Sequence, residues 1–100
     1  MNILTLSLVP ADPASAGTCG QKFDSKVNGG EASWSLHCSG TKIIIDGWVK
    51  DTKADGKCAY VKAFANSQSM PQAKACPKGK KTFFQWTVNG TEIHAYLFVT

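Results

Sequence analysis

Apolar and polar residues alternate with a period of two along most of this chain, and no stretch holds a helical period. A period of two sends successive side chains to opposite faces of an extended strand. The pattern predicts strands separated by turns rich in Gly, Asn and Asp. Residues 81–88 and 91–99 flank Asn89-Gly90. Asn-Gly is the strongest two-residue hairpin signal, because a type I′ turn needs positive φ at both centres. Such a turn sets Val88 against Thr91, Trp86 against Ile93, Phe84 against Ala95 and Thr82 against Leu97. One face is then almost wholly apolar, while the other carries Phe83, Glu92, His94, Tyr96 and Phe98.

The segment DTKADGKC, residues 51–58, predicts a second hairpin. A three-residue loop Ala54-Asp55-Gly56, with the glycine left-handed, sets Val49 against Val61, Gly47 against Ala63 and Ile45 against Ala65. The same letters resemble a calcium loop. That pattern wants an oxygen ligand where Lys53 stands and a bidentate Glu where Lys62 stands. The turn reading is therefore preferred. Residues 23–27 and 32–38 predict a third hairpin around the four-residue loop Asn28-Gly29-Gly30-Glu31, with Phe23 against Leu36 and Val27 against Ala32. Six strands in three hairpins with apolar faces predict an all-β fold, a small antiparallel β-sandwich or barrel.

Four cysteines sharpen this picture. Cys19, Cys38, Cys58 and Cys76 stand 18 to 20 positions from their neighbours, without the close pairs of a metal site. An even number in a short chain predicts two disulfides. The third hairpin brings Gln21 opposite Cys38 and Cys19 within diagonal reach, which gives Cys19–Cys38 and leaves Cys58–Cys76. The second bridge would tie the second hairpin to residues 66–80, where Pro71 and Pro77 exclude regular structure. Residues 1–16 read as the rear of a signal peptide: a short apolar run, then Ala14-Ser15-Ala16 before Gly17. The alternative is an N-terminal apolar strand. Either way, residues 17–100 form one domain, expected to be secreted and extracellular.

The formal charge is +4, from eleven lysines and no arginine against seven acids. Without arginine for bidentate contacts, specific nucleic-acid recognition is excluded, while an anionic cell surface remains a partner class. No nucleophile motif, metal-ligand spacing or phosphate loop occurs, so no catalytic residue, metal or cofactor is expected. His37 and His94 belong to no motif, and Asp46 and Glu92 read as surface charges. Asn89-Gly90-Thr91 matches a glycosylation sequon but already has a reason as a tight turn.

The remaining signal is aromatic. On the second hairpin Ile44, Trp48, Lys50, Tyr60, Lys62 and Phe64 share a face. Aromatic residues ringed by charge suit a protein interface. The opposite assignment makes these aromatics core and turns Ile43, Ile45, Val49 and Val61 outward. Phe83, His94, Tyr96 and Phe98 form a second candidate face, and residues 66–80 a third.

Residues 47–61 (GWVKDTKADGKCAYV), the Ala-Cys-Pro-Lys-Gly loop at 75–79 and the Thr-Phe-Phe strand at 82–84 resemble small secreted actinobacterial proteins. These are disulfide-containing β proteins of the Streptomyces type whose function is unassigned. The Pro-Ala-Ser-Ala-Gly segment at 13–17 is similar to their signal ends. The small α-amylase inhibitors of such organisms share size and disulfide style, but their Trp-Arg-Tyr motif is absent. The expectation is a non-catalytic domain that binds another secreted protein, as an inhibitor or as an adaptor subunit of an extracellular assembly such as a toxin complex. The alternative is a cationic antimicrobial or antifungal protein acting on cell walls or membranes. The sequence specifies no oligomeric state.

Overall fold

The structure is a computed structural model that describes residues 15–65 and 68–100. Residues 1–14 of the expected signal segment lie outside the described residues. Among the described residues nine strands follow in order: β1 (Ser15–Thr18), β2 (Lys22–Val27), β3 (Gly30–Ser39), β4 (Lys42–Asp51), β5 (Ala59–Ala65), β6 (Gln68–Ser69), β7 (Ala73–Ala75), β8 (Lys81–Asn89) and β9 (Glu92–Val99). They form two antiparallel sheets packed together. The front sheet has the order β2-β3-β4-β8, and the back sheet has β1-β9-β5 with β6 and β7 both pairing the far edge of β5.

The alternation read from the sequence places the core. Leu36, Ile43, Ile45 and Val49 point inward from the front sheet and meet Val61, Ile93, Leu97 and Val99 from the back sheet, all almost fully buried. Each such side chain contributes about 1.5–3 kcal/mol. Trimming one methyl from this layer, Ile45→Val, is expected to cost about 1 kcal/mol in urea unfolding. The small, β-branched face is thus the core, and the aromatics of β4 and β5 lie outside it.

The strand partners depart from the three expected hairpins. β8 and β9 do not pair. Asn89-Gly90 carries the chain from the front sheet to the back, and the Gly90 amide donates to the Thr41 carbonyl at 2.8 Å. β4 and β5 do not pair either, because a strand has two edges and β3 and β8 occupy both edges of β4. The Gly56 turn does form, with φ of 76°, but as part of a crossing between sheets. The β2–β3 hairpin does form, with a two-residue loop, Asn28-Gly29, in place of four, and Gly29 has φ of 98°. Gly30 and Glu31 join the ladder because Gly30 must fit beneath Val99 and Ala59. Its register moves by two, so the facing of every side chain survives. The longest pairing is a hairpin that the sequence reading missed, β3–β4 around Gly40-Thr41. Residues 66–80, expected to be irregular, hold β6 and β7.

Both expected disulfides are present. Gln21 bonds Leu36 rather than facing Cys38, and a short turn at Thr18–Gln21 carries Cys19 to 5.3 Å, Cα to Cα, from Cys38. Cys58 and Cys76, with Cα atoms 4.9 Å apart, extend the β5–β7 pairing by one step beyond Ala59 and Ala75. Two disulfides in so small a domain are compatible with an extracellular location.

Candidate functional site

Since β4 and β5 sit in different sheets, the expected platform divides in two. Ile44, Trp48 and Lys50 lie on the outer face of the front sheet, and Tyr60, Lys62 and Phe64 on the outer face of the back sheet. Each half acquires new neighbours.

On the back sheet, β9 completes the surface. The cross-strand pairs are Phe64 with His94, Lys62 with Tyr96 and Tyr60 with Phe98. The first is stacked, with ring centroids 5.1 Å apart and planes 7° from parallel; the third is stacked at 4.9 Å and 9°. Tyr96 and Phe98 touch along β9 at 5.5 Å. Lys62 Nζ donates to the Met70 carbonyl at 3.1 Å, which draws the lysine to the sheet edge, between the Phe64–His94 pair and the Tyr60–Phe98–Tyr96 group. Lys74 of β7 stands across from Tyr60. All six β5 and β9 side chains are half-buried by one another. The third and second candidate regions of the sequence reading thus border this same face, through Lys74 and through His94, Tyr96 and Phe98.

On the front sheet, Trp48 pairs across strands with Phe83 and with Ser33. Lys81 Nζ sits 4.2 Å above the Trp48 ring, a cation–π contact. Phe83 is 72% exposed, the most exposed large apolar side chain among the described residues. Beside these rings lies an open depression of about 620 Å³, lined by Lys22, Ser33, Ser35, Asp46, Trp48 and Gln85 among others. Its surroundings mix charges: Ser33 donates to Asp24 at 2.7 Å, Lys26 pairs with Glu31 at 3.6 Å, and His37 meets Asp46 at 3.1 Å.

The acids and histidines considered in the sequence occupy opposite faces. Asp46 with His37 lies on the front sheet, and Glu92, 3.9 Å from His94, on the back. Asp46 and Glu92 form no carboxylate pair. In DTKADGKC the carboxylates bind their own loop: buried Asp51 accepts from the Lys53 amide at 3.1 Å and Asp55 from the Lys57 amide at 3.0 Å. Among the described residues no cluster of His, Cys, Asp and Glu could hold a metal ion. No protein-family model, curated protein or solved structure matches the chain.

Sequence reasoning missed three contacts, Trp48 with Phe83, Phe64 with His94 and Tyr60 with Phe98. Each joins strands remote in sequence. Each ring was placed on one alternating face of its strand, but its neighbour across the sheet depends on strand order.

Proposed function

We propose that the protein is a secreted, non-catalytic domain that binds another secreted protein, as an inhibitor or as an adaptor subunit of an extracellular assembly. The observation that carries this reading is the aromatic surface of the back sheet: Tyr60, Phe64, Tyr96 and Phe98, with His94 and flanked by Lys62 and Lys74. Tyrosine and phenylalanine gathered on one face supply the anchors of protein interfaces. These rings are already stacked on a disulfide-braced sheet, so docking orders little that is not already ordered. The charge pattern favours this reading over action on anionic membranes, because Asp24, Glu31 and Asp46 interleave with the lysines of the front sheet.

The test is capture from the producer's culture medium on immobilised protein. The wild type is expected to retain one specific protein. Tyr96→Ala with Phe98→Ala is expected to weaken that capture by about 100-fold or more, as for two interface anchors. Both side chains point away from the core, and circular dichroism should show an unchanged fold. Retention of the partner by the double variant would remove this face from the proposal. The absence of any captured protein at low and high salt would remove the function itself.

A further inference from the structure

A sheet edge presents unpaired N–H and C=O groups that invite another strand, and proteins blunt edges with charge, shortness or cover. The sandwich has four edges. On the back sheet, β7 has three residues, and the described parts of β1 and β6 have four and two. On the front sheet, β2 carries Lys22, Asp24 and Lys26 within six residues. β8 is different. It is nine residues long, KTFFQWTVN, with a single charge at its first position. Among the described residues no strand pairs with its outer edge, and its Thr82 hydroxyl donates to the Lys74 carbonyl of β7 at 2.7 Å.

The ladder fixes which backbone groups face that edge. The Asp51 amide donates to the Lys80 carbonyl and the Gly90 amide to the Thr41 carbonyl, each one step beyond the β4–β8 ladder, at opposite ends. Hydrogen-bonded and non-bonded pairs alternate in an antiparallel ladder. The even-numbered residues of β8 therefore bond β4, while Lys81, Phe83, Gln85, Thr87 and Asn89 aim their N–H and C=O groups outward.

We propose that β8 pairs antiparallel with β8 of a second copy of this chain, about a two-fold axis at Gln85. In that register the outward groups meet as bonded pairs: Gln85 with Gln85, Phe83 with Thr87 and Lys81 with Asn89 of the other copy. No like charges face each other, although each chain is cationic. The exposed Phe83 gains a neighbour on the outer face. On the inner face Phe84 comes opposite Trp86 of the second copy. Trp86 is half-buried at the core margin, stacked on Phe84 at 4.6 Å, and the pairing covers its open side. Isologous pairing of this kind closes on itself, so it ends at a dimer rather than a fibre. The axis stands normal to the front sheet, so both back-sheet aromatic faces point the same way.

Sedimentation of the full chain, with both disulfides intact, tests this from micromolar to millimolar concentration. A mass twice that of the chain is expected at the upper end. Gln85→Lys puts two ammonium groups face to face at the axis and is expected to weaken the dimer at least about tenfold. It removes no bond to β4 and sets the lysine across from Asp46, so the melting temperature of the monomer should not fall. Gln85→Cys should cross-link two copies under mild oxidation, whereas Thr87→Cys should not, because its partner is Phe83. A wild type that stays monomeric overturns the proposal, even where another protein's strand is found on β8. So does a dimer that Gln85→Lys leaves equally tight. Faster cross-linking of Thr87→Cys than of Gln85→Cys overturns the two-fold register.

Discussion

Reduction of both disulfides is expected to unfold the domain at about 37 °C. The bridges close loops with sequence separations of 19 and 18. A loop of that size contributes about 3 kcal/mol in the chain-entropy model, so the pair contributes about 6. Small domains are stable by only about 5–15 kcal/mol in all. Placement adds to the effect. Cys19–Cys38 secures the chain where it leaves β1 of the back sheet for β2 of the front sheet. Cys58–Cys76 holds β7, three residues long, against the entry to β5. Cys19 and Cys38 are exposed, while Cys58 and Cys76 are half-buried, so the first bridge should be alkylated earlier during graded reduction. Near-ultraviolet circular dichroism with mass spectrometry of the alkylated chain would follow both events. A fully reduced protein that keeps its native spectrum and melting temperature would contradict the expectation.

The division of each strand into two faces was legible in the sequence, whereas the strand neighbours, and for β4 and β5 the choice of inward face, were not. Val88, Phe84, Ile93, Ala95 and Leu97 were placed on one apolar face, and all are buried. The face was right although the hairpin invoked for it does not exist. Alternation specifies which side of a sheet a residue takes. It does not specify whether two inward faces lie side by side or across the core. β8 packs across the core against β7, and β9 against β2, β3 and β4, yet both inward faces line the same core, and the same pattern serves either arrangement.

Turn chemistry has the same limit. Asp55-Gly56 and Asn89-Gly90 reverse the chain as expected, but a glycine with positive φ suits a corner between sheets as well as a hairpin. The decisive fact is competition for edges. Gly40-Thr41 lets β3 take one edge of β4 along ten residue pairs, and β8 takes the other. No local signal at residues 51–58 reports that. The candidate site was affected accordingly. Tyr60 and Phe64 were placed on one face with the choice between core and surface left open, and Trp48 was grouped with them through a hairpin that competition prevents. The disulfides were legible because Cys19, in the turn just before β2, lies beside Cys38 of β3 through a real β2–β3 hairpin, after which only one pairing remained.

Gly47→Ala is expected to destabilise the fold by about 3 kcal/mol or more, or to prevent folding. Glycine inside a strand ordinarily costs about 0.5–1 kcal/mol relative to alanine, so the simplest expectation is a gain. Space reverses the sign here. A Cβ at Gly47 would fall on the Ser33 carbonyl oxygen and within 2.7 Å of Trp34 Cα and 2.8 Å of Trp34 Cβ. Trp34 is the direct cross-strand partner of Gly47 and is 2% exposed, with Phe84 paired on the opposite side. The closest obstacles are backbone atoms of β3, so no rotamer change relieves them. β3 and β4 would have to separate in the middle of the longest ladder of the sandwich. The Trp34→Ala, Gly47→Ala double variant separates the two sources of crowding. If the indole were the obstacle, the second substitution would restore part of the loss. Because the backbone is, the double variant should be less stable than Trp34→Ala alone. Urea unfolding of the three variants decides this. A Gly47→Ala protein as stable as the wild type would mean that the two strands yield at this point, and the packing of Trp34 would then need another explanation.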